Sequence, residues 1–186
     1  LIDNRAAYNN YAVWVPVRND DGTYSKKLTL ISEHKKVYEG YMPLTKENIS
    51  KVVFSALGNT YGWGGSLNSD DCSGYMRNVY KCFGMELARN TTWQSSMPMA
   101  KVNMQYMPKE EKIKFFDVLP FGTILYFSGH EMMYLGERNE KYYVISAVGT
   151  IMQPENPSVR QRIRSTIVNT LDVKRANGNT WFDELT

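Results

Sequence analysis

Histidine and cysteine are scarce in this sequence, whose 186 residues include only two of each. Two cysteines are too few for a disulfide scaffold, and the spacing of Cys72 and Cys82 is not that of a zinc site. Both fall on one predicted helix, about 15 Å apart, whereas a disulfide needs Cα atoms within about 7 Å. We therefore expect two free thiols, no metal site and no cofactor.

The sequence also lacks a long apolar run and a strong excess of either charge. Its best apolar stretch, 115–127, is broken by Asp117 and Pro120 and is shorter than the roughly 20 residues of a membrane helix. The net charge is +3, from 22 Lys and Arg against 19 Asp and Glu, and the basic residues are scattered. This composition predicts no membrane span and no nucleic-acid partner, but allows mild attraction to an anionic cell wall.

The N-terminus carries no pattern of a secretion signal. The chain starts with Leu1, and the charged, apolar and small-residue segments of a signal peptide do not follow. We interpret the chain as a processed or trimmed fragment, so its first residues neither support nor oppose secretion.

What the sequence does contain is typical of a folded α+β protein in two parts. Alternating apolar residues on both sides of Asp21-Gly22 predict a β-hairpin over 11–31. Gly40 and Pro43 then interrupt the pattern, which predicts a boundary between an N-terminal β segment, 1–43, and a second domain, 44–186.

In the second domain, predicted helices precede predicted strands. Helical spacing and the caps Thr45 and Asp71 predict helices over 46–57 and 72–83, and Thr91 or Thr92 would cap a short helix through Met99. Strand patterns follow over 122–127, 130–135, 141–148, 163–168 and 171–174. This order indicates an α+β class, with helices packed on an antiparallel β-sheet.

Cys72 is the candidate nucleophile, because the start of a helix favours the thiolate form. Cys82 lies at the other end of the same helix and is expected to be core packing. A catalytic cysteine needs a base, and His130 is the only histidine downstream. Without such a role, Cys72 would be a small buried apolar residue and His130 a core histidine.

A third group that orients the base can be sought from strand register. If 136–140 form a five-residue hairpin loop, Leu135 pairs with Lys141 and Ser146 lies directly opposite His130. A four-residue loop would place Ala147 there instead. The first register predicts a Cys72, His130 and Ser146 triad.

The motifs together resemble the NlpC/p60 family of bacterial cell-wall cysteine peptidases. The matching runs are Tyr61-Gly-Trp-Gly-Gly, Asp71-Cys-Ser-Gly at a helix start, and His130-Glu-Met-Met-Tyr-Leu-Gly in a strand. The resemblance covers 45–186, and the preceding stretch resembles the later part of a bacterial SH3-like domain. It implies a papain-like fold and a secreted or cell-envelope location.

The resemblance also implies an activity, hydrolysis of peptidoglycan stem peptides between γ-D-glutamyl and a diamino acid. Cys72 would be the nucleophile, His130 the base, and Asp71 and Ser73 would contact the free amino end of the peptide. Tyr61 and Trp63 would line the cleft, although both could be packing residues and Asp71 only a helix cap.

This sequence departs from the family pattern at two positions. Ser146 stands where many members have a second histidine, or Asn or Gln, and Pro120-Phe121-Gly122-Thr123 replaces a Pro-Gly-Asp turn. The weaker partner Ser146 leaves open a non-hydrolytic peptidoglycan-binding protein with a decayed triad. An acyl-transferring or amidase relative that uses the same Cys and His also stays open.

Overall fold

The computed structural model describes residues 2–3 and 8–186, with backbone alone for residues 2 and 3. The chain divides into two compact units, Leu1–Met42 and Pro43–Thr186. Among the described residues, no helix combines the length and the apolar character that crossing a membrane requires.

The first unit is a three-stranded antiparallel sheet in the order β1, β2, β3. Its strands are β1 (Ile2–Asp3), β2 (Asn10–Arg18) and β3 (Tyr24–Ser32). The predicted hairpin is confirmed, since β2 pairs with β3 from Asn10↔Ser32 to Arg18↔Tyr24. Asp21 accepts a hydrogen bond from the Thr23 amide, at 2.9 Å, in the connecting turn.

The second unit has four α-helices, of which the sequence predicted three. They are α1 (Lys46–Ser55), α2 (Cys72–Lys81), α3 (Thr91–Ser95) and α4 (Lys109–Phe116). Thr45 and Asp71 cap α1 and α2 as predicted, by accepting from the amides of Asn48 and Gly74. The predicted cap of α3 was wrong, because the side chain of Asn90 accepts from the Trp93 amide and α3 ends at Ser95.

The second sheet is antiparallel in the order β4, β5, β6, β7. Its strands are β4 (Ile124–Phe127), β5 (His130–Arg138), β6 (Lys141–Met152) and β7 (Arg160–Thr170). The predicted α+β class is thus confirmed, with helices packed on an antiparallel sheet. The prediction of a strand over 171–174 was wrong. Leu171 follows the end of β7 in a turn, and its carbonyl accepts a hydrogen bond from the Phe182 amide.

The predicted five-residue loop between β5 and β6 was also wrong. Arg138 pairs with Lys141, so the loop has two residues, Asn139 and Glu140, with φ of 53° and 61°. Two consecutive positive φ values are those of a type I′ hairpin turn. After an irregularity between Tyr134 and Gly136, the strands continue with Met133 opposite Ile145.

The two faces of this sheet carry two separate hydrophobic clusters. On one face Met133, Ile145 and Ala147 pack with Tyr75, Met76 and Val79 of α2. On the other face Phe127, Met132, Tyr134 and Val144 pack with Trp181 and Phe182 of the C-terminal segment. Because neighbouring residues of a strand point to opposite faces, His130 and Glu131 belong to different faces.

Candidate active site

Cys72 is the first residue of α2, the position at which unpaired backbone amides and the helix dipole favour a negative charge. Its side chain is nearly buried, and the residue is 8% exposed. Asp71 is the N-cap, and Gly74 follows on the first turn. The helix start predicted for the nucleophile is therefore confirmed.

The carboxylate of Asp71 is held by several donors. It accepts from the amides of Gly74 (2.8 Å) and Gly64 (3.0 Å) and from the Ser73 hydroxyl (3.2 Å). The Arg89 guanidinium donates to both of its oxygens, at 3.0 and 2.9 Å. Burial alone would raise the pKa of Asp71, but Arg89 and the Gly74 amide outweigh it and the pKa is lowered.

The Cys72 thiol lies between helix α3 and strand β5. Its Sγ is 3.7 Å from Oγ1 of Thr91, the first residue of α3. Burial raises the pKa of Cys72, and the negative charges of Glu131 and Asp71 raise it further. The Thr91 hydroxyl and the Glu131 backbone amide lower the pKa only in part. These surroundings therefore favour the protonated thiol over the thiolate.

Glu131, the second residue of β5, is the acidic group on the same side of the sheet as Cys72. It is fully buried, with 0% exposure, and within the described part of the chain neither carboxyl oxygen has a hydrogen-bond partner. Burial raises the pKa of Glu131 to about 7, the nearby Thr91 hydroxyl lowers it in part, and the Asp71 charge raises it again. The carboxyl therefore changes charge near neutral pH.

His130 is the first residue of β5, and its imidazole contacts Ser146. The distance between His130 Nε2 and Ser146 Oγ is 3.0 Å. The ring also packs on Phe127 and Trp181, with centroids at 5.4 and 5.1 Å. Burial, and secondarily the positive charge of Arg175, lower the pKa of His130. The imidazole is therefore neutral at neutral pH, which a base requires.

Two separate side-chain contacts thus lie near the start of β5. Cys72 contacts Thr91, and His130 contacts Ser146. No hydrogen bond joins Cys72 to His130 among the residues the structure describes. His130 packs with the cluster of Trp181, whereas α2 packs on the opposite face. The assembly of both pairs into one triad stays a prediction.

Tyr61 and Trp63 occupy different environments. Burial, with the charges of Cys72 and Asp71, raises the pKa of Tyr61 to about 12, which places its hydroxyl in the field of the site. A Cβ on Gly149 would meet the Tyr61 ring at 3.4 Å. Trp63 is 79% exposed, next to Gly64 and Gly65, which have positive φ. The Tyr61 ring therefore packs close to β6 at Gly149, within electrostatic range of the thiol, and Trp63 is largely exposed to solvent.

Sequence reasoning missed several polar residues of this site, namely Arg89, Thr91 as a thiol contact, Gln94 and Glu131. Gln94 is buried and donates to the backbone oxygens of Ser73 (3.0 Å) and Ala88 (2.9 Å). A signal existed for Glu131, because alternation placed this charged residue on the same face as the apolar Met133. Cys82 was expected in the core but is exposed, because α2 ends at Lys81.

The described residues hold no group of three or more His, Cys, Asp or Glu side chains that could bind a metal ion. Polar groups that can take part in proton transfer lie around Cys72. They comprise the Thr91 hydroxyl and a carboxyl, Glu131, that titrates near neutral pH, whereas the neutral imidazole of His130 lies on the opposite face of the sheet. Nucleophilic attack on a carbonyl with proton transfer would need Cys72 and His130 to come together.

Comparisons with known proteins place this site in a family. The chain is 26% identical over 129 residues to dipeptidyl-peptidase 6 of Lysinibacillus sphaericus, covering 66% of this chain and 42% of the relative. It therefore spans less than half the length of that curated relative.

Two solved structures have the same fold. One is an NlpC/P60 endopeptidase from Photobacterium damselae subsp. piscicida, at 20% identity and a TM-score of 0.70, covering 90% of this chain and 40% of that one. The other is an NlpC/P60 family protein from Bacillus cereus, at 17% identity and a TM-score of 0.53, covering 98% of this chain and 50% of that one. The model of the NlpC/P60 family matches residues 58–181, which include Cys72, His130 and Ser146. This chain belongs to the NlpC/P60 family.

Proposed function

We propose that this protein is a secreted or cell-envelope cysteine endopeptidase that cleaves the bond between γ-D-glutamyl and a diamino acid in peptidoglycan stem peptides. The observation that carries the proposal is the position of Cys72, the first residue of a helix whose cap is fixed by Arg89. Membership of the NlpC/P60 family and the peptidase among the relatives support the same reading.

In the proposed reaction, Cys72 Sγ attacks the carbonyl carbon of the scissile amide and its proton passes to His130. Ser146 contacts Nε2, so Nδ1 is the nitrogen that would take the proton. The free amides at the start of α2 would stabilise the oxyanion. The proton then goes to the leaving amine, and water hydrolyses the thioester. Because the imidazole packs with Trp181 on the face opposite α2, this mechanism requires His130 to leave that contact and turn toward Cys72 when substrate binds.

Defined stem peptides test this activity. The protein would be incubated with L-alanyl-γ-D-glutamyl-diaminopimelate and its L-lysine analogue, and the products weighed by mass spectrometry. We expect cleavage after the glutamyl residue and none in Cys72→Ala. Cys82→Ala is the matched control, because Cys82 is an exposed cysteine just past the end of the same helix. Equal activity of the wild type and Cys72→Ala would refute the proposal.

A second function is favoured by one observation, the separation of the thiol from the imidazole. Cys72 faces the Thr91 hydroxyl and a carboxyl, and its pKa is raised. A protein with this geometry at rest could bind peptidoglycan without cleaving it. Sedimentation with insoluble peptidoglycan, without any released peptide, would favour this non-hydrolytic binder over the peptidase.

We also propose that 1–43 is a partial SH3-like β segment with its linker and that 44–186 is the catalytic domain. Support comes from the three-stranded antiparallel sheet ending at Ser32 and from the compactness of Leu1–Met42. Limited proteolysis of the full chain should cleave first between 33 and 45. Early cleavage inside β2 or β3 would contradict this division.

A further inference from the structure

The carboxyl group of Glu131 is not explained by the fold or by the proposed proton transfer. It is fully buried, and neither oxygen makes a hydrogen bond of good geometry among the described residues, although the Thr91 hydroxyl is near enough to lower its pKa. Asp71, the other buried acid of the site, is by contrast paired with Arg89 through two hydrogen bonds. A buried carboxylate without a partner is costly, and proteins retain such groups mainly where function requires them.

The position of Glu131 connects it to the reaction. It directly follows His130 and lies on the face of the sheet that α2 covers, where its charge acts on the Cys72 thiol. Burial raises the pKa of Tyr126, the partner of Glu131 on β4, and the Glu131 charge raises it further. An ionised Glu131 therefore opposes the thiolate that a cysteine peptidase needs, unless a cation neutralises it.

A primary ammonium group is a cation that the proposed substrate carries and that pairs well with a carboxyl. It offers up to three donors to the two free carboxyl oxygens. A stem peptide carries such groups at its N-terminus and on the side chain of its diamino acid.

We propose that Glu131 receives a primary ammonium group of the peptide substrate, and that this ion pair removes the negative charge opposing the Cys72 thiolate. The inference rests on the proposed function and deepens it, since Glu131 becomes the residue that selects amine-bearing peptides. Asp71 is already neutralised by Arg89, which leaves Glu131 as the uncompensated acid beside the nucleophile.

Binding in a Cys72→Ala background tests the ion pair without turnover. Isothermal titration calorimetry would compare L-alanyl-γ-D-glutamyl-L-lysine with its N-acetylated form and with a norleucine analogue that lacks the side-chain amine. We expect Glu131→Gln to weaken binding of the fully aminated peptide at least tenfold. Of the two modified peptides, the one that lacks the recognised amine should bind equally to the Cys72→Ala protein with and without Glu131→Gln. This comparison identifies which amine Glu131 receives. The exposed Glu110→Gln is the matched control.

Alkylation of Cys72 provides a second readout. In a Cys82→Ser background, the rate with iodoacetamide at pH 8 should rise at least threefold in Glu131→Gln, because removing the charge lowers the thiol pKa. A thiol pKa lower by one unit gives about tenfold more thiolate but about threefold lower intrinsic nucleophilicity. Glu131→Asp keeps the charge and should stay near the wild-type rate.

Unchanged peptide preference together with an unchanged alkylation rate in Glu131→Gln would overturn the inference. Hydrolysis that Cys72→Ala abolishes would then still support the proposed function. If the wild type hydrolyses no stem peptide, the proposed function fails, and the calorimetric comparison still decides the role of Glu131. Circular dichroism checks folding, and Glu131→Asp, with an intermediate amine preference expected, replaces Glu131→Gln if the latter does not fold.

Discussion

The Oγ of Ser146 lies 3.0 Å from Nε2 of His130, although the two residues do not face each other in the strand register. Because Met133 pairs with Ile145, the continued register places Ser146 diagonally across from His130, on the same face of the sheet. Diagonal neighbours are close enough for a long side chain to reach a short one. The imidazole supplies that reach, so the predicted contact is present despite the wrong loop length.

This contact predicts a measurable effect of Ser146→Ala on catalysis. The substitution removes the hydroxyl that fixes the ring, and a hydrogen bond of this kind is worth about 1 kcal/mol, or roughly fivefold in rate. We expect kcat to fall by about this factor with little change in KM, measured on a stem peptide. Ser165→Ala, on the neighbouring strand β7, should leave kcat unchanged. A fall in KM alone would contradict the orienting role.

The Asp71 and Arg89 pair predicts an effect on stability. Arg89→Met removes two charge-assisted hydrogen bonds from a buried carboxylate, which should lower the free energy of unfolding by about 2 kcal/mol in urea titrations. The matched control is Arg77→Met, which breaks the more exposed pair with Glu86 and should cost at most about 1 kcal/mol.

The same pair predicts a pH dependence. The pKa of Asp71 is lowered in the folded protein, so its stabilising effect exists above the unfolded pKa of 3.8 and is lost as the pH falls through the folded pKa. The difference between the wild type and Arg89→Met should therefore shrink on acidification. A difference that is constant from pH 7 to pH 3 would show that Arg89 acts through packing alone.

The sequence predicted those parts of the fold that depend on local interactions. Thr45 and Asp71 begin their helices because each cap bonds an amide three residues ahead. The β5–β6 loop was not predictable in this way, since its two left-handed residues, Asn139 and Glu140, include no glycine. The wrong register followed from that turn.

Contacts between distant segments explain what the sequence did not reveal about the site. Glu131 is buried on the face of the sheet that α2 covers, and Arg89 meets Asp71 across 18 positions of sequence. The helix α4 was missed because Lys112, a charged residue, occupies one of its buried positions. Neither a contact between distant segments nor a buried lysine produces an apolar periodicity in the sequence.

Lys112 itself provides a test of how α4 holds the C-terminal segment. Its Nζ donates to the backbone oxygens of Asp183 (2.9 Å) and Leu185 (3.1 Å) and is almost fully buried. Lys112→Met should reduce the free energy of unfolding by about 2 kcal/mol, because these carbonyls lose their donor. Lys114→Met, on the exposed side of α4, should change it by less than about 0.5 kcal/mol. Equal effects of the two variants would exclude the proposed anchoring.

Glu131 makes stability depend on pH in the direction opposite to Asp71. Its pKa is raised from 4.5 to about 7 in the folded protein, so the folded state retains a proton that the unfolded chain has lost. Stability is full below pH 4.5 and falls as the pH rises through 7, by about 3 kcal/mol at 1.36 kcal/mol per pKa unit.

The glutamine side chain of Glu131→Gln cannot ionise, so the stability of this variant should not show this decrease with rising pH. Urea titrations between pH 4.5 and pH 8 measure the free energy of unfolding of both proteins. We expect the value for the variant minus the value for the wild type to increase as the pH rises. The exposed Glu110→Gln should follow the wild type throughout. Parallel curves for the wild type and Glu131→Gln would mean that the carboxyl finds compensating partners in solution. A steeper fall for the wild type would mean that the protein bears a stability cost to keep an acid beside its nucleophile.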